Sequence, residues 1–171
     1  MGKVIILEGP DGGGKTTLAN ELVKRGFHYR HEGPPPEGVD LIAYYLKILN
    51  DSIESPQDTV HDRLWLGEMV YGPIFRGVDR LGKEGLEKFI EIHNSNPIYQ
   101  FICMPSRDAL KKNYAIKMLD SSDYVKGFDN LWRIYDKYWE LMPYVPCSVF
   151  NYMDHKVEWL LNEVEKGALN G

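Results

Sequence analysis

The chain has 171 residues, of which 43% are hydrophobic and 26% charged, with a net charge of −5 at neutral pH. Such a length suits a single domain, 1–171, with a full apolar core, and the acidic balance argues against broad electrostatic binding to nucleic acid or to an anionic membrane. No apolar stretch is long enough to span a bilayer, and Cys103 and Cys147 stand alone in apolar surroundings, as reduced packing residues of a cytoplasmic protein would.

Met1-Gly2-Lys3 runs directly into Val4–Leu7, an apolar, β-branched run that predicts a buried central strand and no signal peptide. Gly9–Thr16 then fits G-x-x-x-x-G-K-[ST]. Backbone N–H groups that touch phosphate oxygens need side chains out of the way and positive φ at little cost, which Gly9, Gly12, Gly13 and Gly14 supply. Lys15 stands where an ammonium reaches the β- and γ-phosphates of ATP. The Thr16 hydroxyl suits a Mg²⁺ ligand, and Thr17 continues the triphosphate site. Thr16–Arg25 predicts a helix whose N-terminus adds positive potential at those phosphates.

Gly26 suits a helix end, and Phe27–His31 predicts a second strand broken by Gly33-Pro34-Pro35-Pro36. In an open parallel sheet the loop after a strand lies on the ligand side, so Arg30 and His31 are candidates to face an anion. Val39–Ile53 has helical spacing, with Tyr44 and Tyr45 either flanking a base or belonging to the core. Thr59–Arg63 predicts a strand ending in Asp62-Arg63 at the same sheet edge. A carboxylate there can hold Mg²⁺ or orient an acceptor, and a guanidinium can grip a second phosphate bidentately.

Leu64–Met69 continues as a helix that Pro73 is expected to kink or stop. Lys83–His93 is a further helix, Pro97–Met104 a nearly continuous apolar strand, and Pro105–Asp108 opens a helix that runs to Met118. Ser121–Lys126 is polar, as a short lid near 119–127 would be. Phe128–Met142 is amphipathic, Val145–Tyr152 reads as the last strand, and Val157–Leu169 as the closing helix. Strands alternating with helices predict an α/β, P-loop NTPase three-layer sandwich, about five parallel strands with helices on both faces. The histidines show no metal-ligand spacing.

With Glu8–Thr17 and Asp62-Arg63 both in place, the chain resembles the thymidylate kinase family of P-loop nucleoside monophosphate kinases, most of all its compact phage-type members. That family carries E-G-x-D-G-x-G-K-[ST]-T, which this chain fits at every fixed position. It also carries D-R-Y followed by A-Y-Q, of which Asp62, Arg63 and Tyr71 match while Leu64, Val70 and Gly72 do not. The resemblance implies ATP and Mg²⁺ as cofactors and a nucleotide acceptor as partner, with a homodimer allowed. It implies that Asp11 reaches the acceptor's sugar or the metal shell, that Arg63 binds the acceptor phosphate, and that Tyr71 packs where a 2′-hydroxyl would be. Arg30 or His31 would replace the phosphate-binding arginine of an Arg-Glu-Pro stretch. Lys15, Asp62, Arg63 and Asp11 are the catalytic set so implied, Thr16 and Asp62 the metal set. For the arginine-bearing lid the chain offers Lys126, with Arg107, Lys111 and Lys112 upstream. For the residues that hold the base it offers Tyr44, Tyr45 and Arg76.

Two other readings use the same residues. Some phage P-loop kinases phosphorylate a 5-hydroxymethyl pyrimidine in DNA, where Asp62 or Asp11 would serve as the base that a hydroxyl acceptor needs. Asp79-Arg80-Leu81-Gly82 matches the D-x-x-G of a GTPase-type switch, but it ends no apolar strand and no N-K-x-D follows.

Overall fold

The computed structural model describes residues 2–119 and 125–169. Strands β1 (Val4–Glu8), β2 (His28–Arg30), β3 (Thr59–Asp62), β4 (Ile98–Cys103) and β5 (Ser148–Phe150) form one parallel sheet in the order β2-β3-β1-β4-β5. Between and after them run α1 (Lys15–Val23), α2 (Leu41–Glu54), α3 (Trp65–Arg76), α4 (Gly82–Asn94), α5 (Arg107–Lys117), α6 (Phe128–Leu141) and α7 (Val157–Leu169). The expected α/β three-layer sandwich is the one observed.

Alternation along the strands explains the layers. Val4 and Ile6 of β1, with Ile98 and Ile102 of β4, pack under α2, α3 and α6. Ile5 and Leu7, with Val60, Phe101 and Cys103, pack under α1 and α7. A strand buried on both faces has no polar side to show, so β1 reads as an unbroken apolar run. Local signals set the helix starts. The Asp40 carboxylate accepts from the Ala43 N–H at 3.0 Å, and the Ser106 hydroxyl from that of Ala109 at 3.2 Å. Register places Leu7 beside Asp62 and Glu8 beside Ile102, so the C-terminal ends of β1, β3 and β4 share one edge.

Several expectations change. Helix α3 does not stop at Pro73 but continues to Arg76. A proline forfeits one helical hydrogen bond, and in a last turn little remains to be held. Arg76 pairs back to Glu68 of the same helix, and Gly77 closes it at φ 70°. The last strand is only Ser148–Phe150, because Met142–Tyr144 forms a 3-10 turn and Asn151 caps a turn of its own. The D-x-x-G stretch is a helix entry: the Asp79 carboxylate accepts from the N–H groups of Leu81 at 3.0 Å and Gly82 at 3.1 Å, and it lies outside the clefts described below. Of the lid expected near 119–127, residues 120–124 lie outside the described residues. Among the described residues no helix is long and apolar enough to cross a membrane.

Candidate active site

The loop after β1 turns through Gly9 (φ 132°), Gly12 (φ 83°) and Gly14 (φ 91°) into α1. A Cβ at Gly9 would stand 2.5 Å from the Cys103 carbonyl oxygen, so loop and β4 edge approach as closely as backbones can. A Cβ at Gly14 would meet the Tyr152 ring at 3.0 Å. Asn113 of α5 donates to the Gly12 carbonyl and to the Tyr152 hydroxyl, both at 2.9 Å, which fixes the outer side of the loop.

Lys15 is buried, and its ammonium donates to the carbonyls of Gly9 and Pro10, each at 2.9 Å. Burial, and then the positive charge of Arg63, push its pKa down to about 8, against the pull of Asp11 and Asp62. Among the described residues the ammonium is thus held by peptide carbonyl oxygens only. Phosphate oxygens arriving over the loop are better acceptors and relieve the same penalty. Beneath it burial pushes the Cys103 thiol up to about 12, so this cysteine is inert packing.

Glu8, the last residue of β1, is fully buried. One carboxylate oxygen accepts from Leu64 N–H at 2.8 Å and Gly67 N–H at 3.2 Å, the other from the Tyr138 hydroxyl at 3.0 Å. It therefore caps the N-terminus of α3 from another element and ties α6 to the same point. Burial raises its pKa despite these donors.

That cap positions Asp62 and Arg63. Arg63 sits at φ 68°, in the left-handed region that non-glycine residues seldom adopt, with its N–H donating to the Leu7 carbonyl at 2.9 Å. A non-glycine residue held there costs about 1–3 kcal/mol, and such strain concentrates at functional positions. The turn throws the guanidinium across to the phosphate loop, where it pairs with Asp11. It also donates to the Tyr71 hydroxyl at 2.6 Å and lies 4.7 Å from that ring's centre. Lys117, at the end of α5, approaches the other Asp11 oxygen at 3.9 Å. The Asp62 carboxylate accepts from the Tyr29 hydroxyl at 3.2 Å through one oxygen, and its backbone carbonyl accepts from His31 Nδ1 at 3.0 Å.

These side chains line a cleft of about 530 Å³ on the β2-β3 side of the loop. Asp11, Lys15, Thr16, His31, Asp62, Arg63, Tyr71 and Arg76, all singled out from the sequence, meet in it. Arg30 does not: it pairs with Glu32 at 2.8 Å and donates to Ser52 Oγ at 3.3 Å. Tyr44 also stays outside the cleft wall, packed edge-on at 5.2 Å against Tyr45, which does line it. Arg107 pairs with Asp136 and covers Trp132 and Tyr135, away from the loop. A second cleft, also about 530 Å³, opens on the far side of the loop between Gly14, Thr17, Asn113 and Tyr152. Tyr45, a candidate for holding the base, lines the cleft, whereas Glu8, Glu68, Lys117 and Tyr152 have no role assigned from sequence. Glu8 alone carried a local signal, as the polar end of an apolar strand.

No family model matches the chain, and no curated protein matches it in sequence. Solved structures do share its fold. The YorR protein of Bacillus subtilis, solved in complex with phosphorylated GDP, superposes with a TM-score of 0.74 at 17% identity, over 97% of this chain and 95% of its own. Deoxyadenosine kinase from M. mycoides, with products dCMP and dCDP bound, gives 0.62 at 14%, over 95% and 99%. Polyphosphate kinase 2 from Arthrobacter aurescens TC1 gives 0.62 at 16%, over 86% of this chain and 59% of its own. The five-stranded parallel sheet, its flanking helices and the glycine-rich loop at the end of β1 are together the fold of P-loop kinases.

Proposed function

We propose that the chain transfers the γ-phosphoryl group of ATP to the phosphate of a deoxynucleoside monophosphate, a dTMP-like pyrimidine nucleotide, giving the diphosphate and ADP. One observation carries this reading: Arg63, strained and tethered by Asp11 and Tyr71, faces Lys15 and Thr16 across a single cleft of nucleotide size. A cleft with a triphosphate-binding loop on one wall and a guanidinium on the other suits two phosphate-bearing ligands. The second cleft, on the Gly14 and Thr17 side, suits the donor's base and sugar.

The acceptor phosphate is already an anionic nucleophile at neutral pH, so no strong base is required. Its oxygen attacks the γ-phosphorus, and the bond to the β–γ bridging oxygen breaks. Lys15 neutralises charge on the donor side, and Arg63 holds the acceptor phosphate in line. Asp11 gives up Arg63 as that phosphate arrives, and Lys117, at the end of α5, is a further cation at the cleft. The Thr16 hydroxyl and the Asp62 carboxylate, one of whose oxygens has no hydrogen-bond partner among the described residues, fit a Mg²⁺ site: both residues line this cleft, and hard oxygen donors beside phosphates are what that ion takes. When bound, the metal supplies charge neutralisation at the β- and γ-oxygens.

The reading is tested with γ-labelled ATP, Mg²⁺ and a panel of free nucleoside monophosphates. Label should appear in a free diphosphate, with shallow dependence on salt. Label found only in DNA carrying hydroxymethyl pyrimidines, with binding that weakens steeply as salt rises, would replace this reading with the DNA-directed one.

A further inference from the structure

Of the cations that the sequence offers for a lid, Arg107, Lys111, Lys112 and Lys126, none lines either cleft, whereas Lys117 lines the acceptor cleft. Helix α5 explains the choice. Leu110 and Tyr114 are fully buried and seat the helix in the core, and Asn113 and Lys117 fall beside them on the same side, one turn apart. Lys111 and Lys112 lie on the exposed side. Asn113 holds the phosphate loop through the Gly12 carbonyl at 2.9 Å. One turn on, Lys117 is carried to the neighbouring residue of the loop, and its ammonium stands 3.9 Å from Asp11 Oδ2.

Asp11 is therefore a bridge. Its Oδ1 pairs with the Arg63 guanidinium, which arrives from the turn after β3, and its Oδ2 faces Lys117, which arrives from α5. The carboxylate is only 13% exposed, an anion set between two cations. Lys15 lines the same cleft and feels both charges: Arg63 lowers its pKa and Asp11 raises it. A carboxylate is a modest ligand for such a place. Each oxygen serves one cation, and the contact with Lys117, whose side chain is half exposed, is loose. A phosphate monoester brings up to two charges and three terminal oxygens. It can accept from guanidinium and ammonium at once, and its charge repels the carboxylate it replaces.

We propose that Asp11 is an internal stand-in for a phosphate. Arg63 and Lys117 are the two arms of one clamp, Asp11 holds them while the cleft is empty, and the phosphate of the acceptor nucleotide displaces it. The inference rests on the nucleotide-kinase reading for the identity of that phosphate. It adds Lys117 as a catalytic residue that touches the substrate, and makes Asp11 a competitor of the acceptor phosphate rather than a ligand of the acceptor's sugar.

The test is a calorimetric titration of inorganic phosphate into the full chain, free of nucleotide and metal, at low ionic strength. Asp11→Asn keeps the size of the side chain and removes the competitor, so phosphate should bind roughly tenfold or more tighter than to the wild type. Asp62→Asn removes the same charge from the same cleft but leaves the bridge intact, and should tighten binding far less. Lys117→Met should weaken binding by roughly tenfold in the Asp11→Asn background and by clearly less alone, because the wild-type chain gives up the Asp11 contact to form the new one. Lys117→Arg should recover most of the loss. If Asp11→Asn folds poorly, the comparison of Lys117→Met with Lys117→Arg in the otherwise native chain still decides: loss in the first and recovery in the second support the clamp. Phosphate bound no tighter by Asp11→Asn than by Asp62→Asn would overturn the stand-in role. Affinities indifferent to Lys117→Met would place the phosphate on the Lys15 loop alone and overturn the clamp. No ATP and no turnover enter the titration, so the clamp can fail while phosphoryl transfer stands. A working clamp in a chain that phosphorylates no nucleoside monophosphate would remove the acceptor nucleotide from the proposal together with the kinase reading.

Discussion

Around Lys15 the chain binds itself with backbone atoms, and around Arg63 it does so with side chains. The loop from Gly9 to Gly14 is positioned by φ angles, by the Cys103 carbonyl behind it and by two peptide carbonyls that hold the ammonium. The acceptor side is a network: Asp11, Arg63 and Tyr71 hold one another, while Glu68 holds Arg76 and Arg80. The difference has a functional logic. A triphosphate offers the same oxygens whatever the base, so backbone N–H groups suffice to cradle it. An acceptor must be told from its analogues, and discrimination needs donors and acceptors placed one by one.

That contrast is broken most forcefully at Lys15. Lys15→Met removes the cation that the loop carbonyls hold. Folding should survive, because burial already disfavours the charged form, and the lost bonds go only to loop carbonyls. The melting temperature should hold or rise, whereas turnover should fall a hundredfold or more, as expected for roughly 3 kcal/mol of transition-state stabilisation. Near wild-type turnover at saturating ATP would remove the loop from the donor site.

Arg63 tests whether the acceptor side works by charge or by shape. Arg63→Lys keeps the charge and loses the planar fork that now spans Asp11 and Tyr71. Loss of roughly tenfold or more in kcat/KM is expected for a bidentate phosphate contact. A variant as active as the wild type would mean that Arg63 acts as a point charge, and that the left-handed turn at φ 68° serves only the backbone.

The same contrast decides what could be read from the sequence. The phosphate loop is contiguous, and its demands fall on residue type, so glycines, Lys15 and Thr16 announce it. Asp62-Arg63 is legible because a strand's end is legible, and the sheet edge then gives it a place. The Glu68 side of the cleft is not. Glu68 and Arg80 look like solvated charges on or after a helix, and only folding shows Glu68 buried beneath two arginines. Glu8 reaches Tyr138 across 130 positions and Asn113 reaches Gly12 across 101, distances over which no periodicity or motif carries information. Tyr44 and Tyr45 are not told apart by the sequence, because adjacent aromatics on a helix cannot be ranked until one face is known to open on a cleft, and it is Tyr45 that lines it.

The smallest expected effect lies at Tyr71, where the two regions meet. Its hydroxyl accepts from Arg63 at 2.6 Å, and its ring lies parallel to Phe75, with centroids 6.0 Å apart. Tyr71→Phe keeps the ring under the guanidinium and removes one hydrogen-bond acceptor. A charged group would lose one of several partners, worth about 1.5–3 kcal/mol if buried and less in an open cleft. A drop of a few-fold in kcat/KM is therefore expected, felt equally by deoxy and ribo acceptors. Tyr71→Ala removes the ring as well. If that ring fills the space a 2′-hydroxyl would need, ribonucleotides should gain relative to deoxynucleotides, and the ratio of their kcat/KM values should narrow. The two substitutions thus separate two jobs of one side chain. A ratio that stays fixed in Tyr71→Ala, with both acceptors lowered as in Tyr71→Phe, would confine Tyr71 to orienting Arg63 and leave sugar selection to another wall of the cleft.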